Sequence, residues 1–216
     1  MNGANIVNSL AALLIVTSVL VIDAKRPSRA ALLYGLQSLV LVSVFAALAF
    51  FTGASQLYLW ALTAFATKVI LVPAILYRTL RKFDQAPPLP SPMRPAASIG
   101  LAALALIVSA VVVLQIELPG AAAFKPALMV SLAHFFLGLA CIITQRNILK
   151  QIFGYCLMEN GSHLTLALLA ARAPELVEIG IATDAVFAVI IMVVLATQIN
   201  RTLGTLDADQ LTTLKG

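Results

Sequence analysis

Seven long apolar stretches leave this chain one class of fold. They run roughly over residues 5–22, 30–52, 57–79, 96–116, 126–144, 150–171 and 176–199. Each holds about 18–24 residues, and about 20 residues at a rise of ~1.5 Å cross the ~30 Å hydrocarbon core of a bilayer. A β-barrel would need alternating segments of about ten residues, and the sequence has none. Composition agrees, with 61% hydrophobic and only 11% charged residues, where soluble domains carry about 25% charge. The same apolarity excludes a disordered chain. The pattern predicts an all-α, polytopic membrane protein with seven transmembrane helices. The first stretch has no basic lead-in and no cleavage-site pattern, so it reads as a retained helix rather than a signal peptide.

Lysine and arginine set the expected topology. Eleven of the 14 basic residues fall in four segments that a seven-span chain places on one side of the membrane. These are Lys25, Arg26 and Arg29, then Arg78, Arg81, Lys82 and Arg94, then Arg146 and Lys150, then Arg201 and Lys215. The opposite loops hold Lys125 and Arg172, and Lys68 lies inside a span. The N-terminus is therefore expected outside and the C-terminus in the cytoplasm. The net charge of +5 is mostly this bias, and no patch is left over for nucleic acid.

Organisation follows from one Pro-rich segment, Phe83–Pro95, which holds five of the ten prolines and reads as extended. The expected division is a three-helix segment at 1–82, this cytoplasmic linker at 83–95, a fourth helix with its outer loop at 96–125, a three-helix module at 126–201 and a tail at 202–216. Asp207, Asp209 and Lys215 make that tail a solvated end that rests on a partner. Cys141 and Cys156 both fall in spans and read as small reduced core residues. No CxxC, HExxH, P-loop or GxGxxG occurs, so no cofactor is expected on this chain.

An ionisable side chain at mid-helix costs at least ~2.5–3.5 kcal/mol on insertion scales, so each one asks for a reason. Cys156, Glu159, Asn160 and His163 follow i, i+3, i+4, i+7 spacing and share one face of the sixth helix. Glu159 lies about 13 Å in from the cytoplasmic surface, where it is expected to pair with His163 one turn on. Asp184 lies about 12 Å from the outer surface in the seventh helix, within reach of Glu159 through a short water chain. Lys68 sits mid-way along the third helix. Pro73, five residues on, cannot donate to the Val69 carbonyl and should kink the backbone beside the lysine. His134 in the fifth helix is a further relay candidate. Glu178, near the end of its helix, reads as a residue reaching the headgroups. The expected proton path is thus Glu159, Asp184, His163, Lys68 and His134, with Cys156, Asn160 and Pro73 shaping the helix faces. For every one of these the alternative is interhelical hydrogen bonding alone.

The C-terminal part carries a family resemblance. Phe136-Leu137-Gly138-Leu139-Ala140, Gln145-Arg146-Asn147-Ile148-Leu149, Phe153-Gly154 and Met158-Glu159-Asn160-Gly161-Ser162 resemble the K subunit of bacterial respiratory complex I. That family has three helices, a cytoplasmic RN-[LI]-L turn, a buried glutamate with a similar N-[AG]-S element, and a second buried acid. Both acids belong to its proton pathway, which implies that role for Glu159 and Asp184. Aligned without gaps from Arg146-Asn147, the family glutamate falls on Cys156, and Glu159 comes one turn later on the same face, about 4.5 Å along the axis.

A chain of this length with seven helices and a K-like end is similar to the E component of hydrogenase-4. The resemblance implies a non-catalytic subunit of a complex I-like, membrane-bound [NiFe]-hydrogenase or formate hydrogenlyase in the bacterial cytoplasmic (inner) membrane. Its partners would be the lipid bilayer, antiporter-like proton-channel subunits and, indirectly, cytoplasmic [NiFe]-hydrogenase-like subunits that carry the redox chemistry. Two other functions compete. One is a subunit of a multi-subunit cation/proton antiporter, against which the roughly 100 residues before the K-like module argue. The other is a scaffold whose acids only bond across helices.

Overall fold

The computed structural model describes residues 3–84, 95–117, 119–172 and 175–213, and within these the chain is helical and contains no strand. Arg94, Lys215 and residues 85–94 of the expected linker lie outside the described residues. Among the described residues, seven long helices follow the seven apolar stretches. They are α1 (Gly3–Asp23), α2 (Pro27–Thr52), α3 (Gln56–Phe83), α4 (Pro95–Leu114), α5 (Lys125–Thr144), α6 (Ile148–Leu169) and α7 (Glu175–Leu203). Six are both long and apolar enough to cross a membrane. The seventh, α6, has the length at 22 residues but carries Lys150, Glu159, Asn160 and His163. It tolerates them because it lies inside the bundle, packed on α1, α2, α5 and α7.

Local chemistry sets the helix ends. Pro27 opens α2, where a missing N–H costs nothing. Gly53 closes it at φ 67°, a left-handed conformation suited to glycine, and returns its N–H to the Ala49 carbonyl. Asn147 caps α6, its side chain accepting from the Leu149 N–H at 2.8 Å. The disturbance expected at Pro73 takes a different form from a simple kink. Residues Phe65–Leu71 form a π-helix, in which the Val72 N–H reaches back five residues to the Thr67 carbonyl. A wider turn accommodates the lost donor while keeping the helix continuous.

Glycines set the tightest contact. A Cβ on Gly138 would lie 2.3 Å from the Met158 backbone nitrogen, and one on Gly161 would lie 2.5 Å from that of Phe135. The antiparallel α5–α6 hairpin therefore packs backbone on backbone, as small-residue interfaces in membranes do. Gly35 of α2 similarly admits the Pro73 ring, whose Cγ would lie 3.4 Å from an added Cβ.

The turns rich in basic residues meet at one end of the bundle. There Ser28 donates to Asp84, Ser98 donates to Asp23, and Lys150 Nζ donates to the Ile22 carbonyl. The tail folds onto the α5–α6 turn of its own chain. The Ile148 N–H donates to the Leu206 carbonyl at 3.1 Å and the Ala208 N–H to the Arg146 carbonyl at 2.8 Å. Arg146 and Asp209 close the contact with a 2.9 Å ion pair.

Two separate apolar clusters make the core, one towards each end. Each central helix changes cluster at a buried polar residue: Ser18 in α1, Gln37 and Ser38 in α2, Lys68 in α3, His134 in α5 and Asn160 in α6. The bundle thus holds a polar layer at mid-height between two oily ones.

Candidate functional site: a buried polar layer

Lys68 is the centre of that layer. Its Nζ donates to both carboxylate oxygens of Glu159, at 2.6 and 2.7 Å, and to Asn160 Oδ1 at 2.9 Å. Those three bonds satisfy all three ammonium donors. The lysine side chain is fully buried, while Glu159 is 14% exposed. The π-segment turns Lys68 toward α6, where Glu159 and Asn160 stand side by side on the predicted face. An ion pair in low dielectric needs its donors and acceptors met, and here all three lysine donors are.

From Asn160 a chain of hydrogen bonds runs across α2 and α5 to α1. Asn160 Nδ2 donates to Gln37 Oε1 at 2.8 Å, and Gln37 Nε2 lies 3.1 Å from His134 Nε2. An amide NH₂ can only donate, so Nε2 accepts and the His134 proton sits on Nδ1, 2.8 Å from Ser18 Oγ. Ser18 in turn donates to the Leu14 carbonyl. Every bond in this arm points the same way, from lysine to backbone.

His163 does not meet Glu159, its expected i, i+4 partner. Its Nε2 lies 2.6 Å from Glu178 Oε2, with both side chains buried, and the other oxygen of Glu178 accepts from the Thr63 hydroxyl at 2.5 Å. Glu178, expected at the headgroups, is completely buried.

Asp184 stays out of the layer. Six residues beyond Glu178, it is turned about 120° around α7, so one helix cannot bury both acids against α3 and α6. It is exposed on the outer face and has no hydrogen bond or ion pair with any described residue. Cys156 is buried and reduced beside Tyr34 and Leu157. The structure therefore brings together Glu159, Lys68, Asn160 and His134, and separately His163. It adds Gln37, Ser18, Thr63 and Glu178, which sequence reasoning missed or set aside. Gln37 had a signal, as the most polar residue of an otherwise apolar second stretch. Ser18 and Thr63 had none, since hydroxyls in spans commonly bond their own backbone. Among the described residues, no group of three His, Cys, Asp or Glu side chains meets as a metal site would require.

The family NADH-ubiquinone/plastoquinone oxidoreductase chain 4L matches residues 126–216, the part containing α5, α6 and α7. An uncharacterized protein of Mycobacterium tuberculosis is 33% identical over 89 residues, 41% of this chain and 40% of its own. No solved structure matches the chain. Hydrogenase-4 component E of Escherichia coli K12 is 57% identical over all 216 residues, covering 100% of both chains, and that of Shigella flexneri is equally similar. Its apolar helices and this relationship make the chain a multi-pass inner-membrane protein, and it belongs to the hydrogenase-4 component E family.

Proposed function

We propose that the chain is a non-catalytic membrane-arm subunit of a complex I-like hydrogenase, and that it handles protons in its polar layer. The full-length kinship to hydrogenase-4 component E and the chain 4L match support the placement. The observation that carries the proton reading is Lys68, fully buried and bonded to both oxygens of a glutamate that is itself 14% exposed. A dry ion pair is an expensive way to join helices. A pair with one edge open can exchange a proton with a wetted route, becoming neutral amine and carboxylic acid or losing its partner's charge.

Glu159 and Lys68 are the proton-carrying pair. Asn160 and the Gln37–His134–Ser18 arm orient the ammonium: two side-chain amides separate His134 from Lys68, and an amide holds its protons. Pro73 acts through the π-segment that aims Lys68. Cys156 packs the same face of α6. Asp184, exposed in an apolar band of α7, meets a membrane partner, an antiporter-like subunit. The [NiFe]-hydrogenase-like subunits sit beyond it on the cytoplasmic side, the side of the basic turns and the C-terminus.

The test is Glu159→Gln in the intact complex. Glutamine still accepts from Lys68, so the complex assembles and hydrogen turnover continues, while proton translocation is lost. Translocation at the wild-type level would contradict the proton role and leave the scaffold reading.

A further inference from the structure

The His163–Glu178 pair is a further buried acid–base contact among the described residues. The two side chains are 0% and 1% exposed and 2.6 Å apart. The imidazole lies between aromatic walls, with ring centroids 4.7 Å from Phe45 and 5.4 Å from Trp60. His163 Nδ1 is buried with no partner among the described residues. A buried ring nitrogen without a partner requires an explanation. An imidazole with one nitrogen on a carboxylate and the other unclaimed can take a proton at one and release it at the other.

Its placement supplies the source. His163 is one turn from Glu159 on α6, about 6 Å along the axis. Thr63, which bonds Glu178, is five residues before Lys68 on α3, at the entry to the π-segment. The same two helices therefore serve both pairs: α3 gives Lys68 to Glu159 and Thr63 to Glu178, and α6 gives Glu159 and His163. The charged groups facing the His163–Glu178 pair are Lys68 from α3 and Glu159 from α6.

We propose that His163–Glu178 is a second proton-holding site, and that Glu178 exchanges protons with the Lys68–Glu159 pair through the His163 ring. The proposal rests on the reading of Lys68–Glu159 as a proton-handling pair. In the transfer, Nδ1 of a neutral His163 takes the proton delivered from that pair. The Nε2–H bond then breaks toward Glu178 Oε2. A neutral imidazole and a carboxylic acid result, the donor pair is one proton poorer, and nothing is oxidised or reduced.

The experiment uses the intact complex in sealed vesicles, reading protons translocated per hydrogen turned over. Glu178→Gln keeps acceptors and donors for Thr63 and His163 but cannot hold the proton, and translocation falls about a hundredfold or more, the scale of a lost proton-transfer group. Wild-type translocation in Glu178→Gln with loss in Glu159→Gln overturns this inference and leaves the Lys68–Glu159 reading standing. Wild-type translocation in both removes that reading and this inference together. Should Glu178→Gln fail to assemble, Thr63→Val decides the matter. It removes the hydroxyl bond to Glu178, together with the hydroxyl's contacts to the Leu59 and Trp60 carbonyls of its own helix, and it shifts a carboxyl band in the turnover-induced infrared difference spectrum. An unshifted set of carboxyl bands overturns the proposal.

Discussion

Removing Lys68 tests whether the ion pair is built as described. Lys68→Met deletes three donors at once, those 2.6, 2.7 and 2.9 Å from their acceptors. It leaves the Glu159 carboxylate and Asn160 Oδ1 facing a methyl group. Breaking a buried pair from one side costs about 3–5 kcal/mol, whereas replacing both partners by apolar groups of similar volume is close to neutral. Lys68→Met should therefore lower the unfolding free energy by about 3 kcal/mol; the loss sits at the low end because the 14%-exposed Glu159 can take up a proton. Adding Glu159→Leu should restore most of it. The assay is reversible unfolding of the purified chain in mixed micelles, titrated with denaturing detergent, for wild type, both single variants and the double variant. With about 3 kcal/mol lost in each single variant and about 1 kcal/mol in the double, a coupling energy of about 5 kcal/mol is expected, above the usual range for contacting residues because each single change strands a buried partner. Strictly additive losses would refute the pairing.

Other expectations follow from single contacts. Gly138→Ala should destabilise the purified chain strongly, because its Cβ would lie 2.3 Å from backbone, while Gly180→Ala, where nothing lies within 4 Å, should be neutral or stabilise by up to about 1 kcal/mol; equal thermal midpoints would contradict the hairpin packing. Pro73→Ala restores a backbone donor and favours a regular α-helix by about 3 kcal/mol. That change should rotate Lys68 by about 100° away from Glu159, and translocation should be lost in a complex that still assembles; unchanged translocation would show that the π-segment is dispensable. A lipid-soluble carbodiimide should label Asp184 in the isolated chain in lipid and leave it unlabelled in the intact complex. Equal labelling, read by peptide mass spectrometry, would place that acid against lipid rather than a partner.

The helices could be read in the sequence because each apolar stretch is a local property, and their bounds shift by only a few residues in the structure. The centre of the site was partly legible for the same reason. Lys68, Glu159, His134 and Asn160 stand out as polar residues in oily surroundings. Their pairing was not legible. Whether Glu159 meets His163 on its own helix or Lys68 on another depends on the rotation of α6, and that is fixed by backbone contact at Gly138 and Gly161. Pro73 signalled a disturbed ladder, but the choice of a π-segment over a kink depends on α2, whose Gly35 admits the proline ring. Glu178 was misplaced because a position near a helix end does not say which neighbours cover the side chain, and here Thr63 of α3 and His163 of α6 do. Asp184 was grouped with Glu159 because their helices are neighbours and the resembling family has a second buried acid, and neither fixes the face on which the side chain lies.

The double variant Lys68→Met/Glu159→Leu offers the most direct test of the central claim, because it removes the protonatable pair without leaving a lone buried charge. Protons translocated per hydrogen turned over should be measured with this variant in the intact complex in sealed vesicles. The account predicts a stable, assembled complex that turns over hydrogen and moves no protons through this subunit. Translocation at the wild-type ratio would contradict it.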